Sequence, residues 1–304
     1  MKIFVTGASG AIGLPLVRRL AAAGHEVSGS TRGSGGAAKI REAGGIGVTC
    51  DVFDRDQLVE AMGQAAPELV INQLTSLPAR FEPKKEGFYE ANNRIRSEGG
   101  DNVIEATAAC GARRLITQSI SFLYELSGST IKTEDDPVDR SGIHDAVLGH
   151  EQKVLGDDRF EGVVLRYGLL YGPGTWYAPD GHLADEVRRR RLPIVGGGAG
   201  VTSFLHVEDA ASAAIAAIET GPDTLFNVTD DEPAPMNQWL PAFAEALGAK
   251  PPRRVPAWLA SLAAGKAIVR QATEGRGASN AKFKAETGWQ PGYASWRQGF
   301  FRAG

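Results

Sequence analysis

A doubly wound parallel α/β sheet is the fold class this sequence predicts, and three features predict it: a fully apolar, β-rich run at Ile3 to Val5, a glycine turn directly after it, and an alternation of strand-like and helix-like segments that continues to Arg166. Ile3 to Val5 reads as a buried central strand. It ends in Thr6-Gly7-Ala8-Ser9-Gly10-Ala11-Ile12-Gly13, and Leu14 to Ala23 then shows amphipathic spacing closed by Gly24. His25 to Ser30 supplies a second strand, followed by a Gly-rich linker, a short helix at Lys39 to Ala43 and a third strand at Gly47 to Cys50. Asp56 to Met62 is helical, Glu68 to Leu74 a strand, Tyr89 to Cys110 a long helical stretch and Arg114 to Gln118 a strand. Helix His150 to Leu155 and strand Gly162 to Arg166 complete the alternation.

After Arg166 the rhythm changes. Gly172-Pro173-Gly174, Pro179-Asp180-Gly181 and Gly196 to Gly198 are turn signals around one basic helix ending at Arg191. The Ala-rich helix Glu208 to Glu219 and strand Thr224 to Val228 return to the sheet layer, and Trp239 to Leu247 and Leu259 to Val269 are helical. The expected organisation is a Rossmann domain of residues 1–166 with 201–231, and a smaller C-terminal substrate lobe of residues 167–200 with 232–304.

Composition narrows the function classes. The chain has 304 residues, 33 basic and 36 acidic side chains and a formal net charge of −3, so it has no field strong enough to gather a polyanion, and nucleic acid is not expected as a partner. Cys50 and Cys110 form no C-x-x-C pair, which argues against a disulfide framework or a thiolate metal site and fits a reduced, cytoplasmic setting. The N-terminal apolar run breaks at Gly7, and no stretch reaches the ~18 apolar residues of a membrane span. A soluble, unprocessed protein is the expectation. The 38 glycines say that the backbone must turn tightly or come close to something repeatedly.

The glycine turn says what it approaches. In Gly7, Gly10 and Gly13, with Ser9, Ala11 and Ile12 between them, the first glycine permits the turn, the second lets the backbone approach a pyrophosphate and the third lets helix pack on strand. The following helix N-terminus offers free N–H groups to phosphates. An NAD site usually places Asp or Glu about 20 residues further on; here the second strand ends Ser30-Thr31-Arg32. A guanidinium and hydroxyls there suit a 2′-phosphate, so NADP is expected over NAD. The alternative has Arg32 stacked on adenine or pointing to solvent, with either cofactor accepted. Asp51 and Val52 follow the third strand, where the carboxylate accepts from the adenine amino group and Val52 packs on the ring, or Asp51 caps the next helix. Leu74 and Thr75, ending the fourth strand, complete the expected cofactor-binding set.

With TGASGAIG at Thr6 to Gly13, Asp51-Val52, Ser119 and Tyr124 in QSISFLYE, LRYGLLYGPG at Leu165 to Gly174, FLHVEDAA at Phe204 to Ala211 and SNAKFKAETGWQP at Ser279 to Pro291, the chain resembles the extended short-chain dehydrogenase/reductases of the NAD(P)-dependent epimerase/dehydratase type over essentially its full length. The resemblance implies a cleft between Rossmann domain and C-terminal lobe, a small-molecule substrate, and dimerisation through helices on the flank of the sheet. It also implies a Y-x-x-x-K dyad, in which Lys lowers the Tyr pKa so that the phenol serves as general acid or base. No tyrosine here satisfies it: four residues beyond Tyr89, Tyr124, Tyr167, Tyr171, Tyr177 and Tyr293 stand Asn93, Gly128, Tyr171, Thr175, Gly181 and Arg297. Counted from Ser119, the tyrosine position falls near His144 and the lysine position near Leu148. The chain is therefore an atypical member of the type it resembles.

Candidate catalytic residues follow from that gap. His144 replaces the tyrosine as proton carrier, or lies in an exposed turn before the helix. Tyr167 reaches the cleft as an acid, or walls the nicotinamide ring. Ser119 and Ser121 end a central strand, where one of them hydrogen-bonds a substrate carbonyl. Trp176 and Tyr177 form an apolar lid or pack on the second lobe, and Arg276 and Asn280 line the substrate lobe. His150-Glu151 opens like H-E-x-x-H, but Val154 stands where the second His would be, so no metal is expected. Arg188 to Arg191 binds a diphosphate or is a solvated helix face. Three functions remain: an NADP-dependent oxidoreductase moving hydride to or from a small or medium carbonyl or alcohol, a nucleotide-sugar epimerase or dehydratase, and a catalytically silent NADP-binding sensor.

Overall fold

A computed structural model of the chain describes residues 1–140, 142 and 144–301. Seven strands form one sheet, in the order Thr224–Val228, Glu161–Tyr167, Arg114–Ile120, Leu69–Asn72, Lys2–Thr6, Glu26–Thr31, Ile46–Thr49. Every pairing is parallel, with Val5 opposite Gly29 on one side and Ile71 on the other. The chain winds outward in both directions from Lys2–Thr6. Its carboxyl end is thus the switch point at which a ligand crevice opens.

Both sheet faces are buried, which is why these strands read as continuous apolar runs. Ile3, Val5, Ile71, Ile116, Leu165 and Phe226 face helices Gly13–Ala22 and Val207–Ala216. Phe4, Val70, Leu115 and Val164 face helices Arg55–Ala65 and Gly100–Ala109. Towards the carboxyl ends of the strands this second face turns polar, with Asn72, Thr117, Ser119 and Arg166 all buried.

Several helices differ from the sequence expectation. The expected Lys39–Ala43 helix starts earlier, at Ser34, because Gly35 and Gly36 stand in its first turn instead of in a linker. Leu259 to Val269 is two helices, Ala257–Ala264 and Lys266–Glu274, broken at Gly265 (φ +89°). The long stretch from Tyr89 is interrupted by one π turn, Ile95–Gly99, between helices Glu90–Arg94 and Gly100–Ala109. The helix after the Arg114–Ile120 strand spans Asp145–Leu155.

A second apolar core gathers Tyr171, Tyr177, Phe204, Trp239, Phe243 and Trp296, with Phe204 drawn from the 201–231 span that the sequence reading assigns to the Rossmann domain. The C-terminal tail is tied back to the sheet layer. Asp209 on helix Val207–Ala216 accepts from the Gly292 and Tyr293 amides at 2.8 and 2.9 Å, and Asp230 accepts from Trp296 N at 2.7 Å. No described helix is long and apolar enough to cross a membrane.

His150 shows how closely helix Asp145–Leu155 is seated. Its Nε2 lies 2.9 Å from Thr117 Oγ1, and a Cβ on Gly100 would come within 2.6 Å of its Nδ1. Burial, reinforced by the Arg96 charge, pushes its pKa down to about 4. The unfolded chain therefore takes up this proton first, and stability drains away as pH falls from about 6.5 towards 4. Urea unfolding at pH 7 and pH 4.5 should show a larger loss on acidification in the wild type than in His150→Gln, the difference isolating His150 from His206, held near 4 and acting in the same direction, and from Asp230, raised to about 8 and acting in the opposite one. Gly100→Ala should cost about 1–3 kcal/mol by overpacking, with part recovered in Gly100→Ala/His150→Ala; a Gly100→Ala variant of unchanged stability would contradict the packing.

Candidate active site

The glycine turn sits at the switch point. Gly7 adopts φ +71°, and a Cβ there would come 2.6 Å from the Gln73 carbonyl oxygen; a Cβ on Gly13 would collide with Gly7 O and the Ala8 backbone. Neither neighbour can yield, so these two glycines are demanded by packing. Gly10 is exposed and meets only Gly7 O, at 3.2 Å. It is the glycine that leaves the turn open to approach. Gly13 begins helix Gly13–Ala22, whose first turn carries no acid and whose Ile12 cap makes no side-chain bond, so its N-terminus is open to an anion. Ser9 Oγ and Thr31 Oγ1 are 2.9 Å apart and join the turn to the second strand. From the other lobe, Gly174 (φ +79°) comes so close that a Cβ on it would touch Ala11 Cβ at 3.3 Å.

At the far end of this groove Arg32 is exposed, and Gly33 caps helix Ser34–Glu42 without a side-chain bond or an acid in the first turn. Beside it the Ser30 hydroxyl is buried with no partner. Ser34 and its helix N-terminus were hidden in the sequence by the glycines around them. Asp51 does not cap the helix: Asp54 does, accepting from Gln57 N at 3.1 Å. The Asp51 carboxylate is exposed and accepts from Phe53 N, while Val52 is buried and its carbonyl is held by Asn102 Nδ2 at 2.9 Å. Leu74 is fixed on both sides, its N–H donating to Asn72 Oδ1 and its carbonyl accepting from Gln118 Nε2; Thr75 beyond it is exposed. A glycine cradle and an open helix N-terminus at the switch point fit a dinucleotide.

The reaction end departs further from expectation. Tyr167 points away from the cleft, into the core beneath helix Val207–Ala216; its hydroxyl donates to Ala210 O and accepts from Gln73 Nε2, and burial raises its pKa. Ser119 points to the opposite face, buried, donating to Glu151 Oε1. Neither side chain is open to substrate. Ser121 is also buried, its backbone N–H donating to Tyr167 O at 2.9 Å. His144 stands at the start of helix Asp145–Leu155, half-buried, with Nδ1 3.4 Å from Asp139 O. The expected lysine position, Leu148, is buried in a small apolar cluster with Leu123 and Val147. No ammonium can stand there.

Of the expected substrate residues, Trp176 is half-buried against the loop after strand Leu69–Asn72. Its Nε1 donates to Pro78 O at 2.9 Å and its ring packs on Phe81, tying the loop after strand Leu69–Asn72 to the second lobe; Phe81 N adds a bond to His182 Nδ1 at 3.1 Å. Tyr177 is instead a core residue between Trp239 and Phe243. Arg276 donates to Leu126 O, and Asn280 to Thr229 O and Asp231 Oδ1, so both brace the backbone. The arginine run is likewise structural, with Arg188 on Pro179 O, Arg190 on Pro251 O and Arg191 on Glu186.

What sequence reasoning missed is a buried charged layer beneath the cleft. Arg166 holds Glu151 in a two-pronged ion pair, 2.9 and 2.6 Å, and also donates to Tyr124 OH at 3.0 Å, which in turn donates to Asn227 Oδ1 at 2.7 Å. Arg96, on the π turn, lies close to Glu151. His150-Glu151 was visible in the sequence, but only as a failed metal motif.

Known proteins show the same architecture. The chain is 45% identical over 309 residues to a Streptomyces 3-diazoavenalumate denitrifying reductase, covering 99% of this chain and 100% of that one. It is 27% identical to a 2-alkyl-3-oxoalkanoate reductase of Stenotrophomonas maltophilia, over 82% of this chain and 76% of that one. The UDP-glucose 4-epimerase of Thermotoga maritima, solved with UDP-glucose, superposes with a TM-score of 0.80 at 20% identity, covering 99% and 96% of the two chains. The model of the NAD dependent epimerase/dehydratase family matches residues 3–229. Sheet order, glycine cradle and reductase relatives thus converge on one statement: this chain belongs to the NAD dependent epimerase/dehydratase family and is an NAD(P)-binding oxidoreductase.

Proposed function

We propose that the protein is an NADPH-dependent reductase whose substrate centre accepts hydride without a proton from the enzyme, an aryl diazo group on an aromatic acid being the class that fits best. The observation that carries this reading is Leu148, an apolar side chain buried with Leu123 and Val147 near the position that the count from Ser119 assigns to the dyad's lysine. The 45% identity to a reductase that removes nitrogen from a diazo acid supports it.

Bound in the groove, the reduced dinucleotide supplies hydride. An aryl diazonium that gains hydride at its terminal nitrogen becomes Ar–N=N–H; the N–H proton passes to water, the C–N bond breaks with its electron pair left on the ring carbon, N2 leaves, and that carbon takes up a proton from water. Two electrons and one proton enter together, so no side chain need donate. A ketone, by contrast, becomes an alkoxide and needs an acid. The chain's own work is positional: Gly7, Gly10 and Gly13 with the N-terminus of Gly13–Ala22 hold the pyrophosphate, and Trp176 with Phe81 walls the substrate side against water.

For the cofactor, NADPH is supported by Arg32, Ser34 and the open N-terminus of Ser34–Glu42, a cation, a hydroxyl and free N–H groups of the kind that suit a 2′-phosphate. Arg32→Ala should lower the NADPH over NADH preference in kcat/KM by roughly 10- to 100-fold, the value of one charged hydrogen-bonding group; an unchanged ratio would remove Arg32 from the cofactor site. His144→Ala should cost less than about tenfold in kcat, against the ~10²–10⁴-fold that a general acid contributes. Reaction class is tested by incubating the enzyme and NADPH with a 3-diazo-4-hydroxycinnamate and with a 2-alkyl-3-oxoacid. Stoichiometric N2 release from the first is expected; turnover of the oxoacid alone would make the protein a ketoreductase.

A further inference from the structure

Arg96 is 6% exposed, yet among the described residues it donates no side-chain hydrogen bond and forms no salt bridge, and its Nε is sealed from solvent without an acceptor. A guanidinium carries five donors, and burying an unpaired charge is among the costliest arrangements a fold tolerates. The groups around it do not relieve the cost. Glu151, the acid closest in influence, is already engaged by both prongs of Arg166 and by Ser119. His150, the other titratable neighbour on the same helix, is kept uncharged at neutral pH by burial and by Arg96 itself. Glu151 is matched by Arg166, and Glu134, the other acid at this layer, accepts from Asn227 N, so no carboxylate is in salt-bridge contact with Arg96.

Its placement indicates what the charge is for. The segment carrying Arg96 begins at the carboxyl edge of the sheet, where Asn92 Oδ1 accepts from Ser76 N just beyond strand Leu69–Asn72. Helix side chains lean towards their own N-terminus, so the buried Arg96 side chain leans back towards the carboxyl edge from which its segment descends. It does so from a π turn, a distortion that recurs at functional sites.

We propose that Arg96 binds an anionic oxygen of the substrate, a carboxylate or an aryl oxide, at the floor of the cleft. This adds a substrate contact to the reductase reading and rests on it only for the location of the substrate. The cation that the missing dyad lysine would supply is thereby replaced by one that grips substrate charge and does not tune a phenol.

The test uses the full-length protein saturated with NADP+ and calorimetric titration with two matched pairs, cinnamate against cinnamamide and 4-nitrophenolate against 4-nitroanisole. The wild type should bind at least one anion about tenfold or more tighter than its neutral partner, and the favoured pair identifies the source of the oxygen. Arg96→Met should erase that selectivity while leaving affinity for the neutral ligands within about twofold, and Arg96→Lys should keep part of it. Unliganded Arg96→Met should melt at or above the wild-type temperature, because an unpaired buried charge has been removed. The proposal fails if the wild type shows no preference for either anion, if Arg96→Met retains the preference, or if that variant melts lower and loses acid and amide alike, the behaviour of a structural arginine. No turnover is involved, so the outcome stands whether or not the reduced group is a diazo group.

Discussion

The buried carboxylate of Glu151 holds the reaction end together. Arg166 and Ser119, on neighbouring strands of the sheet, both bond to it, so helix Asp145–Leu155 is locked to the sheet in one register. Removing either partner of such a pair costs about 3–5 kcal/mol, since it strands a buried charge. That lock places Leu148 where the family resemblance expects a lysine, and Glu151 one turn deeper. Of the two buried guanidiniums beside this helix, Arg166 is engaged by Glu151 and Arg96, which enters from another helix, is not.

The glycine turn was legible in the sequence because its determinants are local. Gly7 and Gly13 are required by atoms within a few residues of the turn and by the adjoining strand end, and such requirements leave a spacing that can be read directly. The reaction half was not legible, for two reasons. Strand residues alternate faces, so Ser119 and Tyr167 leave the sheet on opposite sides, and a motif that names them does not say which face meets the cleft. Arg96, Glu151, Arg166 and Asn227 converge from four segments far apart in the chain, and a local pattern cannot announce that convergence. The π turn that presents Arg96 left no mark beyond an uninterrupted helical stretch, and the Ser34–Glu42 helix was hidden by its own glycines.

The two halves also differ in what they give up. The glycine turn is satisfied by its own packing before any ligand arrives. The layer beneath the reaction end is not, for it retains unpartnered polar atoms at Arg96 Nε and His150 Nδ1. Such local cost at a site, offset by well-packed cores on both sheet faces, is the usual balance between stability and function.

Hydride transfer without a protein acid is the central claim, and its pH dependence is the most direct test. Single-turnover oxidation of NADPH and of its 4-deuterated form, with diazo substrate, should give the same rate from pH 6 to pH 9 and a constant primary isotope effect. A tenfold fall in the hydride-transfer rate per pH unit above a single ionisation would contradict it, because it would reveal a group on the enzyme that must hold a proton for the reaction to proceed.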